Sequence, residues 1–179
     1  MTNDIKEIIV KEKQISQIVY ALGAQISEDY KDKNLLMISV LKGSIVFMAD
    51  LMRAITIPCR IDFMSISSYG HGVKTSGAVK ILLDLDISVL GYDLLVVEDI
   101  LDSGMTLSYI LEMLESRSPA SIRICTLFDK PQRRQVPIKP DYVGMQVPDE
   151  FLVGYGLDFN EKYRNLPYVG VLKPEVYLL

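Results

Sequence analysis

The stretch from residue 94 to residue 106 constrains the fold of this chain more than any other. It reads Leu-Leu-Val-Val-Glu-Asp-Ile-Leu-Asp-Ser-Gly-Met-Thr, an apolar run followed by carboxylates and a small polar loop. A helical pattern begins directly after the loop. The apolar run predicts a buried parallel strand, and ligands of such sheets bind beyond the carboxyl ends of the strands. The stretch therefore predicts a ligand site.

The loop at residues 103–106 has the features of an anion site. Ser103 or Thr106 can cap the helix that follows, and Gly104 allows close approach of the backbone to a ligand. The first amides of a helix lack carbonyl partners and lie at the positive end of its dipole, so a phosphate fits there. Glu98 and Asp99 would repel a phosphate, but they suit sugar hydroxyls or a hard divalent cation. Together these groups predict a bound sugar phosphate.

The whole run resembles the phosphoribosyl-pyrophosphate signature of the purine phosphoribosyltransferases. Taken alone, its acid pair would also fit a solvated turn before a capped helix. The resemblance implies that Glu98 and Asp99 hold the ribose hydroxyls, directly or around a metal ion, and that Asp102 is the general base. It also implies a set of ligands for the 5′-phosphate, namely Ser103, Gly104, Met105 and Thr106.

Composition is that of a globular protein of single-domain size. The chain has 179 residues, of which 49% are hydrophobic. A net charge of −4 argues against nucleic acid as the main partner. Neither an apolar leader segment nor an apolar run of about eighteen residues is visible, so we expect a cytoplasmic protein without membrane contact. Cys59 and Cys125 are expected to be reduced, buried thiols.

Hydrophobic periodicity predicts strands alternating with helices. The predicted strands span residues 35–41, 59–66, 78–83, 94–97 and 122–128, and the predicted helices span 11–31, about 45–53 and 103–116. The alternation predicts an α/β fold with a doubly wound, mostly parallel sheet flanked by helices. We expect one domain over residues 1–179, with a core of about 1–130. The rest, 131–179, has short apolar pieces at 142–147 and 168–172 and predicts a small β-rich hood, to which the N-terminal segment contributes.

A second strand ends in a glycine-containing loop, Leu-Lys-Gly-Ser at residues 41–44. Alone, Lys42 would be read as a solvated strand end. Beside the signature at 94–106, the loop predicts a second phosphate cradle, and the resemblance implies that Lys42 and Gly43 contact pyrophosphate. The family often has a strained peptide at this position, so the Leu41–Lys42 bond is a candidate for cis geometry, which is rare outside proline.

Residues 147–164 are similar to the carboxyl-terminal part of the hypoxanthine(-guanine) phosphoribosyltransferases, members of the type I phosphoribosyltransferase family. This similarity implies that Phe151 stacks on the base and that Leu152 offers backbone groups to the purine edge. Asp158 would adjoin the purine site and help place a metal ion, while Arg164 would neutralise pyrophosphate charge. Without the similarity, Phe151 would be read as a core aromatic and Arg164 as a surface ion-pair partner.

Lys130 follows another predicted strand, in the sequence Phe-Asp-Lys-Pro. It could be a solvated turn residue, but the resemblance implies a contact with the exocyclic oxygen at position 6 of a purine. A lysine donor favours a 6-oxopurine over adenine, whose amino group cannot accept its hydrogen bond. Residues 68–77 resemble the family's mobile lid, with Ser68 and Tyr69 at its start, which would exclude water. His71, the only histidine, is given no role.

The resemblance implies a transfer of ribose phosphate to a purine. A nitrogen of hypoxanthine or guanine would displace pyrophosphate from phosphoribosyl pyrophosphate (PRPP), giving IMP or GMP for purine salvage. Mg²⁺ would be the cofactor, with Glu98, Asp99 and Asp158 as candidate ligands, and the family implies a homodimer or homotetramer. Two alternatives stay open here: a phosphatase built on the Asp84-x-Asp86 motif, and a nucleic-acid-binding regulator that senses PRPP.

Overall fold

The computed structural model describes residues 1–68 and 79–178, which form two β-sheets and four helices. The strands are β1 (Ile5–Val10), β2 (Leu35–Leu41), β3 (Arg60–Ser68), β4 (Val79–Leu83), β5 (Asp93–Leu101), β6 (Ser121–Asp129), β7 (Tyr142–Gln146), β8 (Leu152–Val153) and β9 (Val169–Leu172). The helices are α1 (Glu12–Asp29), α2 (Ile45–Ala54), α3 (Met105–Glu115) and α4 (Pro174–Tyr177), and short 3-10 turns lie at Thr2–Asp4 and Pro131–Arg133.

The larger sheet has the strand order β4-β3-β2-β5-β6-β7. All neighbouring strands in it run parallel except β3 and β4, which are antiparallel. The two central strands, β2 and β5, pair from Leu35 opposite Asp93 to Ser39 opposite Val97. Both are nearly continuous in apolar residues, because helices cover both faces of the sheet.

Alternate residues of the central strands point to opposite faces. Met37 and Leu95 pack in a core cluster with residues of α1 and α2, whereas Leu36 and Val96 pack in a second cluster with residues of α3. Helices therefore cover both faces of the sheet, as in a doubly wound fold. The predicted α/β class is thereby confirmed.

A smaller antiparallel sheet joins the two ends of the chain, in the order β1-β9-β8. β1 pairs with β9 from Ile5 opposite Leu172 to Val10 opposite Val169, with two register shifts along the way. Periodicity did not predict β1, because these irregularities break its alternation of apolar and polar residues. A third apolar cluster lies under this sheet and includes Val153 and Tyr163.

β7 lies in the larger sheet, and its assignment to the hood was wrong. It pairs parallel with β6, from Cys125 opposite Tyr142 to Asp129 opposite Gln146. The pairing starts at Asp141, whose carboxylate accepts a hydrogen bond from the Ile124 amide at 2.8 Å. Long-range pairing of this kind has no local signal in the chain, so the short apolar piece could not be assigned to a sheet.

The remaining expectations about the chain can be compared with the described residues. Cys59 and Cys125 are both free thiols, the first half-buried and the second buried. Among residues 1–68 and 79–178, no helix combines the length and apolar content that crossing a bilayer requires.

Candidate active site

The predicted site residues come together where β2, β5 and β6 end. β5 runs to Leu101 and so contains Glu98 and Asp99, whereas the periodicity predicted its end at residue 97. The strand is longer because Ile100 and Leu101 pair with the last residues of β6. The Lys130 amide then donates to the Leu101 carbonyl at 3.0 Å, which places Lys130 next to Asp102.

The acid pair on β5 is half-buried. Burial raises the pKa of Asp99 to about 6, against the effect of a 2.9 Å hydrogen bond from the Ile100 amide. Burial also raises the pKa of Glu98 well above its usual value, and the neighbouring charge of Asp99 adds to this increase. Carboxylates whose ionised forms are disfavoured in this way are suited to a cation or to hydroxyl donors.

The phosphate loop differs in detail from the expectation. α3 begins at Met105 rather than at residue 103, and its N-cap is Gly104, in the left-handed region at φ 80° and without a side-chain cap. Neither Ser103 nor Thr106 caps the helix; instead, the Met105 amide donates to Ser103 Oγ at 3.4 Å. Glycine adopts this backbone conformation without penalty, and the first amides of a helix without a side-chain cap can donate to an anion. A cavity of about 190 Å³ adjoins the loop.

Arg134 stabilises this loop, and sequence reasoning missed it. Its guanidinium pairs with Asp129 at the end of β6 and also donates to the Asp102 carbonyl. One residue later, the Gln135 amide donates to the Ser103 carbonyl at 2.9 Å. The sequence shows only two consecutive arginines, at positions 133 and 134, and this pattern does not identify their partners.

A larger cleft of about 440 Å³ meets the loop cavity at Ile100 and Asp102, which line both. The residues that line the cleft are Ile100, Asp102, Lys130, Arg133, Asp149, Glu150, Phe151, Leu152, Leu157, Asp158 and Tyr177. Of the predicted purine contacts, all four are present: Lys130, Phe151, Leu152 and Asp158. The cleft is large enough for a purine base.

Lys130 is almost fully buried at the base of the cleft. Its ammonium donates to the Glu150 carbonyl at 2.7 Å and lies 3.9 Å from the Asp149 carboxylate. Burial lowers the pKa of Lys130, and the nearby charge of Asp102 opposes this effect. An ammonium has three donors, so it can also donate to a ligand oxygen.

Asp102 stands at the junction of the two cavities. Its Oδ1 atom lies 3.0 Å from Arg133 Nε, and Arg133 also contacts Asp149 at 3.2 Å. Oδ1 is shielded from solvent, and among the described residues no donor is aligned to form a hydrogen bond with it. Arg133 is a second residue that sequence reasoning missed.

Phe151 forms the aromatic wall of the cleft. Its ring is stacked on Tyr177 of α4, with centroids 4.8 Å apart, and meets the edge of Phe159 at 5.6 Å. The side chain remains 37% exposed, so part of the ring is accessible from the cleft. Tyr177 was not predicted, because nothing in the local sequence places the C-terminal helix beside residue 151.

The second predicted anion loop lies against the acid strand. The Leu41–Lys42 peptide is cis, in agreement with the expectation. Two glycines here leave no free space for a Cβ atom: one on Gly43 would displace the Asp99 carboxylate, and one on Gly156 would overlap the Gly43 carbonyl. Glycine is therefore required for the close approach of the two loops.

Arg164 and Lys42 lie on either side of an acidic residue. Arg164 pairs with Asp158 at 2.9 Å and donates to the Gly156 carbonyl at 2.8 Å. Glu161 lies between the two cations, 3.2 Å from Lys42 and 3.5 Å from Arg164. The hydrogen bond from Lys42 lowers the pKa of Glu161.

The predicted metal site and the predicted lid are not tested by this arrangement. Within the described residues, no group of three or more His, Cys, Asp or Glu side chains is arranged to hold a metal ion. The predicted lid begins at Ser68, the last residue of β3, but Tyr69 and the rest of the segment to residue 77 lie outside the described residues.

Comparison with known proteins agrees with this geometry. The model of the phosphoribosyl transferase domain matches residues 6–160. The chain is 52% identical over 177 residues to hypoxanthine-guanine phosphoribosyltransferase of Bacillus subtilis, covering 99% of this chain and 98% of that protein. A protein of the same name from Staphylococcus aureus is 51% identical over 177 residues, with 99% of each chain covered.

A solved structure agrees as well. The crystal structure of a hypoxanthine phosphoribosyltransferase from Staphylococcus aureus matches with a TM-score of 0.95 at 51% identity, covering 99% of this chain and 96% of that chain. Fold and sequence therefore confirm the resemblance drawn from residues 94–106 and 147–164. The chain belongs to the phosphoribosyltransferase family and, within it, to the hypoxanthine-guanine phosphoribosyltransferases.

Proposed function

We propose that this chain transfers the 5-phosphoribosyl group of PRPP to hypoxanthine or guanine, forming IMP or GMP and pyrophosphate in purine salvage. The observation that carries the proposal is the junction of two cavities at Asp102. One is purine-sized and lined by Lys130 and Phe151; the other adjoins a loop at a helix N-terminus. A base and a sugar phosphate bound in them would meet beside this carboxylate.

The 5′-phosphate would bind in the smaller cavity, on the amides and hydroxyls of Ser103, Gly104, Met105 and Thr106. The positive end of the α3 dipole favours an anion there. The ribose hydroxyls would then lie toward Glu98 and Asp99, whose carboxylates accept hydrogen bonds. Since glycosyl transfer develops positive charge on the sugar, nearby carboxylates also stabilise the transition state.

The base would stack on Phe151 and accept a hydrogen bond from Lys130 through its 6-oxo group. The backbone of Leu152 would bind the purine edge, with Asp158 at its border. Asp102 would accept the proton of the attacking ring nitrogen as the new bond forms, a step of general base catalysis. Its position where the two cavities meet suits this role.

The leaving pyrophosphate would bind at Lys42, Gly43 and Arg164. Lys42 and Arg164 supply positive charge, and Gly43 lets this loop lie directly against the Asp99 carboxylate. Cations placed on a leaving group stabilise the charge that develops there.

A divalent metal ion is general in enzymes of this family, and we propose Mg²⁺. Glu98 and Asp99 fit this ion, because they are carboxylates of consecutive residues whose ionised forms are disfavoured by burial. Asp158 is a third candidate, although it is paired with Arg164. Mg²⁺ retains several waters and binds substrate phosphates, so a complete protein ligand set is not required. When bound, the ion would neutralise charge on the leaving pyrophosphate.

The alternatives have less support. Asp84 of the phosphatase-like motif forms two 2.8 Å hydrogen bonds with Arg117, which suits a structural ion pair. A nucleic-acid-binding regulator would need a basic surface, whereas the chain carries a net charge of −4. A homodimer or homotetramer and a cytoplasmic location stay predictions.

An activity assay tests the proposal. The full chain would be incubated with PRPP, MgCl₂ and one base at a time: hypoxanthine, guanine, xanthine or adenine. We expect nucleotide and pyrophosphate in equal amounts with hypoxanthine or guanine, and no product with adenine. Absence of nucleotide with every 6-oxopurine, or a preference for adenine, would overturn the proposal.

A further inference from the structure

The two cations assigned to pyrophosphate already share an anionic partner. Lys42 Nζ lies 3.2 Å from Glu161 Oε1, and Arg164 Nη2 lies 3.5 Å from Glu161 Oε2. Each carboxylate oxygen therefore faces one cation. This bridging arrangement has the charge pattern of a bound phosphate group.

The backbone holds Glu161 in this position. Asn160 and Glu161 both adopt left-handed conformations, at φ 51° and 61°. The Glu161 amide donates to Asp158 Oδ2 at 2.9 Å, while Asp158 Oδ1 pairs with Arg164. The turn that carries the glutamate is thus attached to the same aspartate that orients the arginine, so the carboxylate lies beside both cations.

We propose that Glu161 is an internal competitor of pyrophosphate, which pairs with Lys42 and Arg164 in the free enzyme and must withdraw before pyrophosphate binds. The inference rests on the proposed roles of these two cations. Competition of this kind weakens binding of any ligand that carries the pyrophosphate group. It also speeds release of the product, because the carboxylate recaptures the cations as pyrophosphate leaves.

The size of the effect follows from the exposure of the pair. The Lys42 and Glu161 side chains are each 65% exposed. Exposed ion pairs typically change an equilibrium by about 1.4- to 5-fold. Because two cations are released and repulsion of the ligand is removed as well, we expect Glu161→Gln to lower the Kd of pyrophosphate by roughly 3- to 10-fold.

Calorimetric titration with pyrophosphate tests the inference on the full chain, once with MgCl₂ and once with EDTA. The variants are Glu161→Gln and a matched control, Glu28→Gln, which removes the same charge from the exposed end of α1. A double-mutant cycle adds Lys42→Met, alone and with Glu161→Gln. Unfolding temperatures of all variants show that each is folded.

Competition predicts that Glu161→Gln binds pyrophosphate more tightly, both with MgCl₂ and with EDTA. This gain should be absent in Glu28→Gln and smaller in the Lys42→Met background. Unchanged binding would overturn it. Weaker binding would also overturn it and would make Glu161 a holder of metal or ligand. A gain in affinity that is lost in EDTA would overturn it too. If the unmodified chain does not bind pyrophosphate, or Lys42→Met binds it equally well, the proposed function of the cations fails as well.

Discussion

Gly43 and Asp99 are in direct contact across the ends of β2 and β5: a methyl group on Gly43 would overlap the Asp99 carboxylate. This contact joins the loop assigned to pyrophosphate with the strand assigned to ribose. Since PRPP carries its pyrophosphate on carbon 1 of the ribose, next to the hydroxyl on carbon 2, a site for it requires the two binding elements to be adjacent. The first prediction follows from this contact.

Gly43→Ala should displace the Asp99 carboxylate. We expect kcat/KM for PRPP to fall about 10- to 100-fold, because a misplacement of about 1 Å has costs of this order, with a stability loss of about 1–3 kcal/mol. The control is Gly91→Ala, where a Cβ meets open space but φ is 76°. It should lose about 1–2 kcal/mol of stability and retain activity. Equal activity losses in both variants would contradict the assignment.

Asp102→Asn should lower kcat about 10²- to 10⁴-fold, because a general base contributes this much. The KM for PRPP should change little, since the asparagine keeps the size of the side chain. Steady-state kinetics would measure both constants. Asp32→Asn, which alters an exposed carboxylate in the turn after α1, should retain its turnover. Unchanged turnover of Asp102→Asn would remove the base assignment.

Lys130→Met should weaken recognition of the 6-oxo group. A hydrogen bond to a charged donor contributes about 1.5–3 kcal/mol, so kcat/KM for hypoxanthine should fall about 10- to 100-fold. Lys6→Met is the control, because Lys6 is exposed and pairs with Glu150, the residue whose carbonyl accepts from Lys130. Steady-state kinetics with hypoxanthine would be measured for both variants. A kcat/KM of Lys130→Met equal to that of the unmodified chain would exclude the contact.

The raised pKa of Asp99 predicts a pH-dependent stability. A carboxyl with a raised pKa stabilises the folded state fully below its unfolded pKa, and this stability is lost as the pH rises through about 6. Asp99→Asn should therefore raise the free energy of unfolding above pH 6, by about 2–3 kcal/mol, and change it little below pH 4. Urea unfolding from pH 4 to 8 measures this difference.

Asp84→Asn provides a control of opposite sign. The hydrogen bond with Arg117 lowers the pKa of Asp84, so this pair stabilises the folded state above the unfolded pKa and less so as the pH falls. Asp84→Asn should destabilise at pH 7 and have little effect at low pH. Curves of the same sign for the two variants would contradict the assigned environment of Asp99.

The parts of the fold that have local signals could be predicted from the sequence. β2 and β5 are continuous apolar runs, and α3 follows a glycine loop, so the sheet and the position of the phosphate loop could be predicted. β1 and β7 are short, and tertiary contacts rather than local signals select their partner strands, so the pattern could not assign them to a sheet. Pairing with β6 also extends β5 through the acid pair, which no local periodicity indicates.

The site residues also divide into those that have a local signal in the sequence and those that do not. Lys42, Asp99 and Lys130 each follow or end an apolar run, so strand order alone brings them together. Arg134 and Tyr177 come from segments without such a marker. Arg134 contacts Asp129 and the Asp102 carbonyl, and Tyr177 stacks on the Phe151 ring. These contacts are set by tertiary packing, which residue spacing does not specify.

A crystal structure with bound IMP tests the central claim most directly. We predict that the 5′-phosphate lies on residues 103–106, that the base stacks on Phe151, and that its 6-oxo group accepts from Lys130. The reacting ring nitrogen should then lie beside Asp102. A nucleotide bound elsewhere, or one whose phosphate and base occupy the opposite cavities, would contradict the account.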